Sequence, residues 1–470
     1  MITLSLVSHT NAGKTTLTRT LLRRDVGEVK DAPHVTLFNE EYTLVRLEDA
    51  ELRLWDTPGF GDSARLLKRL KRERNALFWF VSQTWDRITD RPIWCSQQAV
   101  KNVRDSAEVV LYLVNASEPP GAAGYLAPEM EILSWLKKPV IVLLNQLGDP
   151  RPVEIEMKEI EAWRTELSQW QCVRQVISLD AFIQCWVQES RLLSAIADVL
   201  PLEKRSAFER LKEAWNAEHQ AKFAASMQRL AEMLVASALD GMEVRSETVL
   251  EKIGLSRSGL KREFSDAREK MSARLATRME SATNDLIQIH GLAGNAERQM
   301  VHTQREHFKV PQRVHESIWT AIGGITTGAI TGVIADVKTG GLSFGAGTLV
   351  GAIGGGLGAY AIASATNLVR GKDSSVHWSR EHFMEQAKLA LVCYLMVAHF
   401  GRGRGKWESD VVPVVWSDAT EAVVQEQKAR WAHVWSLAVE KGAAPEDILR
   451  ELTPLCQEAG HRILRRLYPH

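Results

Sequence analysis

The 470-residue chain has little cysteine and no surplus of either charge. Its five cysteines, Cys95, Cys172, Cys185, Cys393 and Cys456, are scattered, and no two have C-x-x-C spacing. Neither a zinc site nor a disulfide framework is expected, and a reducing, cytosolic environment is the simpler reading. The 58 basic and 58 acidic residues cancel. That balance argues against a dedicated nucleic-acid binder and leaves room for a local basic patch. No basic segment followed by an apolar run precedes the first strand, so no cleaved signal peptide is expected. Beyond Pro201 strand-like alternation is missing too. The length allows two to four domains, each with its own core.

What is present is a regular alternation of strands and helices through about the first 200 residues, the pattern of a parallel sheet covered on both faces. Strands are expected at Ile2–Val7, Tyr42–Leu47, Glu51–Trp55, Val109–Val114, Val140–Leu144 and Val173–Ile177. Helices are expected at Lys14–Arg24, Ala127–Lys137, Val153–Gln169 and Ala181–Val199. Between the first strand and the first helix lies Ser8-His9-Thr10-Asn11-Ala12-Gly13-Lys14-Thr15-Thr16. That strand–loop–helix context is what a phosphate-binding loop needs. The amides of Asn11, Ala12, Gly13, Lys14, Thr15 and Thr16 and the helix N-terminus would face phosphates, with Lys14 as a point charge and Thr15 holding Mg²⁺. Ser8 stands where such loops usually begin with glycine. Asp56-Thr57-Pro58-Gly59 directly follows a strand. An aspartate there can orient a Mg²⁺-bound water, and the glycine N–H can sense a γ-phosphate.

With these two motifs the chain resembles the Era-like branch of the Ras-type GTPases over roughly residues 1–200. The resemblance implies GTP/GDP and Mg²⁺ as cofactors and carries further residues over one at a time. Thr36 matches the switch I threonine that closes on Mg²⁺. Asn145 matches the asparagine of the guanine-specificity motif, although the text reads Asn145-Gln146-Leu147-Gly148-Asp149, with the lysine replaced and Asp149 one residue late. Ser178 falls at the family's second base contact. Phe60 occupies the position of a water-orienting glutamine, as in other Era-like proteins, and implies slow unassisted hydrolysis. Asn11 stands where some Era-like families coordinate K⁺, whose charge can replace an arginine finger.

Residues 61–105 are a long insertion that begins basic (Arg65, Lys68, Arg69, Lys71, Arg72, Arg74) and turns aromatic (Phe78, Trp79, Phe80, Trp85, Trp94). It reads as a solvated helix followed by packed core, or as a switch-coupled arm for a partner. Helical periodicity follows in Phe208–Leu239, Leu260–Ile289, Ser379–Phe400, 418–440 and 445–467. Between them Ser317–Ala335 and Thr339–Val369 carry no charge, and 13 of the 31 glycines lie between Gly323 and Gly358. Gly324, Gly328 and Gly332 repeat every fourth residue, as do Gly347, Gly351 and Gly355, which on helices makes a smooth stripe for close backbone packing. An antiparallel glycine-zipper hairpin is expected. Each arm is about 18–22 residues, near the length that crosses a hydrocarbon core of about 30 Å. A hairpin buried inside a soluble helical domain is the alternative.

The expected fold class is therefore α/β, a P-loop parallel sheet with helices on both faces, followed by a mostly α-helical half with a glycine-zipper hairpin. The expected domains are 1–200 (GTPase), 201–310 (helical), 311–371 (hairpin) and 372–470 (C-terminal helices). This order resembles a group of bacterial Era-like GTPases whose C-terminal half is a domain of unknown function. The expected function is a GTP-hydrolysing switch with Lys14, Thr36, Asp56 and Gly59 in the reaction. Thr15, Thr36 and Asp56 (through water) would serve Mg²⁺, and Asn11 is a candidate K⁺ ligand. The expected partners are guanine nucleotide, membrane lipid through 317–369, a second copy of the chain and an unidentified protein. The expected location is the cytoplasm, on or in the inner membrane. Two alternatives stay open: an oligomer-forming or membrane structural protein with nucleotide as assembly cue, and a soluble regulatory GTPase acting on protein or RNA.

Overall fold

The computed structural model describes residues 1–23, 39–72, 91–145, 153–181, 185–243, 257–291, 368–370, 375–399 and 413–469. They form two compact units, one of Met1–Gln220 with His399–Gly405, the other of Ala221–Ala398 with Lys406–His470.

The first unit is built on a six-stranded sheet. Its elements in chain order are β1 (Ile2–Ser8), α1 (Lys14–Leu22), β2 (Glu40–Arg46), β3 (Glu51–Asp56), α2 (Ser63–Arg72), α3 (Arg91–Ser106), β4 (Val109–Asn115), α4 (Leu126–Leu136), β5 (Val140–Asn145), α5 (Val153–Leu167), β6 (Val173–Ser178) and α6 (Trp186–Val199). The strand order is β2-β3-β1-β4-β5-β6. All pairs are parallel except β2–β3, so the expected parallel sheet carries one antiparallel edge strand. The reason is local: β2 and β3 are joined by a short turn closed by Leu47 N–H to Ala50 O at 2.8 Å, too short for a crossover.

Successive residues of β4 face opposite sides. Val109, Leu111 and Leu113 join a core with Leu4, Leu6, Leu54, Leu192, Ile196 and Phe208. Val110, Tyr112 and Val114 join a second core with Phe60, Leu66, Val103, Met130 and Trp163. Burial on both faces explains why β4 and β5 read as unbroken apolar runs. Because β1 sits between β3 and β4, the chain leaves it to opposite sides, and a crevice opens at the carboxyl ends of the strands.

The second unit contains the distal part of α7 (Leu202–Ala238), β7 (Gly241–Glu243), α8 (Arg257–Ile289), β8 (Leu368–Arg370), β9 (Ser375–Trp378), α9 (Arg380–Ala398), α10 (Val414–Glu426), α11 (Lys428–Val439) and α12 (Pro445–Leu467). Its centre is α9, buried nearly all round: Phe383, Ala387, Tyr394 and Leu395 all have 1 % exposure or less. The stretch expected as one helix over 418–440 is two, divided at Gln427.

The expectation of no strands after Pro201 is corrected. An antiparallel sheet of order β7-β9-β8 pairs Gly241 and Val369 with His377. Strands of three or four residues are too short to show a period. A Cβ at Gly241 would lie 2.6 Å from the His377 ring, so a larger residue there would have to move that ring. The hairpin expected over 311–371 lies outside the described residues apart from 368–370, and those three are strand rather than the end of an apolar helix. Among the described residues no helix is long and apolar enough to cross a membrane.

Candidate functional site

The site begins where β1 stops. The loop after it needs left-handed backbone at Asn11 (φ 63) and Gly13 (φ 90), conformations that asparagine and glycine tolerate best. Gly13 then caps α1, and Leu17 N–H returns to its carbonyl at 2.9 Å. Lys14 and Thr16 are buried in the first turn, and Thr15 is half-buried. Ser8, in the unusual first position, is fully buried and built into the loop. Its Oγ accepts from Lys14 Nζ at 2.6 Å and donates to His9 O at 2.5 Å. Burial lowers the Lys14 ammonium to about 8, against the opposing pull of Asp56, Glu129 and Cys95.

The Asp56–Gly59 segment packs directly on this loop. Thr57 Oγ1 donates to Leu6 O at 2.6 Å and anchors the segment to β1. Phe60 N–H donates to Ser8 O at 2.9 Å, and Phe60 O accepts from Thr10 N–H at 3.2 Å and from Thr10 Oγ1 at 3.0 Å. A Cβ on Gly59 would sit 3.0 Å from Thr10 Cα and 3.1 Å from Lys14 Nζ, so any side chain there would press on the loop.

Thr15 Oγ1 donates to Asp56 Oδ2 at 2.6 Å. The Asp56 carboxyl is raised to about 6, chiefly by burial, with Thr15 and Lys14 opposing. Its other oxygen, Oδ1, is buried without a hydrogen-bond partner. Two hard oxygen donors side by side, one with an unsatisfied buried lone pair, fit Mg²⁺ and its water shell.

Asn145, at the end of β5, is fully buried. Its Nδ2 donates to Ala12 O and its Oδ1 accepts from Ala181 N–H, both at 2.7 Å. The side chain thus ties the phosphate loop to the segment after β6, where Thr20 Oγ1 also donates to Ala181 O at 2.6 Å. Ser178, half-buried, ends β6 beside this brace. Thr36 and Asp149 lie outside the described residues. The structure therefore brings together Asn11 to Thr16, Asp56, Gly59, Asn145 and Ser178.

The sequence reading missed a buried carboxylate, Glu129, that meets the half-buried His9 of the loop. His9 Nδ1 lies 2.8 Å from Glu129 Oε1, and Tyr112 Oη donates to Glu129 Oε2 at 2.6 Å. The available signal was a carboxylate at the apolar register of Leu126, Met130 and Leu133 on α4.

Residues 3–146 match the family model described as "50S ribosome-binding GTPase". Residues 164–379 match "Domain of unknown function (DUF3482)". No curated protein matches. Among solved structures, the chain is similar to an Era variant of Aquifex aeolicus bound to GDP and AlF4⁻, at 18% identity and TM-score 0.33, covering 42% of this chain and 56% of that one. It is also similar to Era in complex with MgGDPNP and nucleotides of 16S ribosomal RNA, at 17% identity and TM-score 0.32, covering 52% and 68%. A probable GTP-binding protein, engB, is similar at 17% identity and TM-score 0.25, covering 42% and 97%. The match thus spans a little over half the length of the Aquifex Era chain. The N-terminal part of this protein is a P-loop GTPase domain, followed by a mostly helical half.

Proposed function

We propose that the protein is a GTP-hydrolysing switch whose nucleotide state is passed to its helical half, and that residues 317–369 associate with the cytoplasmic face of the inner membrane. In this reading Lys14 and the amides of Asn11 to Thr16 hold the phosphates. Thr15 and Thr36 ligate Mg²⁺, Asp56 orders it through water, and Asn145, Asp149 and Ser178 frame the base. Mg²⁺, when bound, neutralises charge on the transferring phosphoryl group.

The observation that carries the switch is the double tie between Phe60 and the loop at Ser8 and Thr10, with Gly59 against Lys14. A γ-phosphate held by Lys14 competes for the space beside Gly59. Gly59 N–H reports its arrival, and its loss releases the segment that follows Gly59. Phe60 is fully buried and has no group to orient water. We assign the missing charge stabilisation to K⁺ held at Asn11, whose left-handed backbone leaves its side chain exposed.

Lys14→Ala is expected to weaken GDP binding by about 100-fold or more, and unchanged affinity refutes the site. Equal single-turnover hydrolysis in Na⁺ and K⁺ refutes the cation assignment. In cell fractionation the full chain is expected with membranes and a version lacking residues 317–369 in the soluble fraction. Identical partition of the two removes the membrane part. It would favour a second reading, supported by the ribosome-binding character of the family matched by residues 3–146: a regulatory GTPase acting on an RNA or protein partner. A third, in which nucleotide only cues self-association, would need assembly without turnover.

A further inference from the structure

Glu129 sits on α4 with its carboxylate fully buried. A buried carboxylate costs several kcal/mol of desolvation unless it is well paired. Its neighbours on that face, Leu126, Met130 and Leu133, are apolar, and a leucine at 129 would suit the same core. Both carboxylate oxygens are engaged, Oε1 by His9 and Oε2 by Tyr112. Burial pushes the carboxyl up, and the His9 hydrogen bond and charge, the Tyr112 hydroxyl and the Lys14 ammonium pull it back.

His9 is held from a second side as well. Its ring stacks on Tyr125, with centroids 4.5 Å apart and planes at 12°. Tyr125 immediately precedes α4, so the start of one helix meets one face and one edge of the imidazole. The His9 backbone faces the phosphate machinery. Its carbonyl accepts from Ser8 Oγ and, at 3.4 Å, from Lys14 Nζ. The same residue forms a parallel bridge with Phe60. One residue therefore connects α4, through its side chain, to the loop lysine and to the residue after Gly59, through its backbone.

We propose that Glu129 is a positioning residue of the GTPase reaction, acting through His9 to hold the first half of the phosphate loop and the adjoining Phe60 backbone. The inference rests on the roles assigned above to Lys14 and Gly59. Glu129 does not itself contact the nucleotide in that reading, and GDP affinity draws on the loop amides and Lys14. A small displacement of Lys14 and Gly59 costs transition-state stabilisation more than ground-state binding. The effect belongs in turnover.

The test uses the full-length protein, measuring single-turnover GTP hydrolysis and affinity for a fluorescent GDP analogue. Glu129→Leu is expected to slow hydrolysis about tenfold or more while GDP affinity stays within about threefold. Glu129→Gln, which can accept from Tyr112 and donate to His9, is expected to recover to within about threefold of wild type. In a His9→Ala background, Glu129→Leu or Glu129→Gln should add less than about twofold, because the two residues act as one unit. Wild-type hydrolysis by Glu129→Leu overturns the proposal. So does a Glu129→Gln protein as slow as Glu129→Leu, or GDP affinity that falls as far as the rate. If Glu129→Leu does not fold, Glu129→Gln decides: its slowing must vanish in the His9→Ala background, and additive slowing overturns the proposal. Wild-type protein that neither binds GDP nor hydrolyses GTP is a different result, and it refutes the nucleotide site rather than this inference.

Discussion

The two units bury polar groups in different ways. In the first, Ser8, Lys14, Asp56, Thr57, Glu129 and Asn145 are all buried, and they converge on the loops at the carboxyl ends of β1, β3 and β5. In the second, the buried polar groups are dispersed and fasten one element to the next. Ser237 Oγ donates to Gln386 Oε1 at 2.7 Å, joining α7 to α9, and Trp435 Nε1 donates to Trp378 O at 2.9 Å, joining α11 to the end of β9. Asp240 receives Arg274 at 2.8 Å and Arg278 at 2.7 Å from α8. Buried charge is costly wherever it occurs. Where several such costs collect in one crevice, chemistry is the economical explanation. Where they occur singly between helices, they specify packing.

That contrast can be broken by experiment. Trp431 is fully buried beside Phe383, with ring centroids 6.5 Å apart. Trp431→Ala is expected to cost about 4 kcal/mol of stability in urea unfolding and to leave GDP affinity unchanged. A parallel loss of affinity would mean that the second unit is more than packing. Asn145→Ala strands Ala12 O and Ala181 N–H in a buried brace. We expect a loss of about 3 kcal/mol, appearing in GDP affinity as well as in stability. Loss in stability alone would reduce Asn145 to a packing residue like those of the second unit.

The smallest expected effect is the pH response of α9. Burial holds the His382 imidazole near 4, below the value of about 6.5 in an unfolded chain. Between those values the unfolded state binds more protons. Stability therefore rises with pH across that window, and it falls by about 2 kcal/mol as pH drops from 7 to 5. Hydrogen exchange of the α9 amides at pH 7 and pH 5 measures it, and His382→Leu should flatten the response. An unchanged exchange rate for opening would place His382 in a wetter site than its 1 % exposure indicates.

Legibility followed the same division. The six strands of the first sheet were readable because each is six or seven residues long, and most are unbroken or alternating in character. The antiparallel pairing of β2 was not, since it depends on the length of a turn rather than on any strand residue. The motifs at Gly13-Lys14-Thr15 and Asp56–Gly59 were readable because local spacing alone carries their chemistry. His9 and Glu129 were not, since they are 120 positions apart and meet only when α4 packs across the sheet. In the second unit the helices were legible by period. The full burial of α9 and the sheet β7-β9-β8 depend on neighbours that a linear period does not contain.

By itself, then, the sequence determined the phosphate loop, the DTPG segment and the order of elements around them, because each is encoded by residues within one turn or strand of each other. Only the tertiary structure decided how Ser8 serves in place of glycine, which is by taking the Lys14 ammonium on its buried hydroxyl. It also decided that Asn145 braces two loops, and that a buried carboxylate on α4 grips the loop through His9. These are long-range pairings of polar groups. Their free energy depends on the burial that the fold creates.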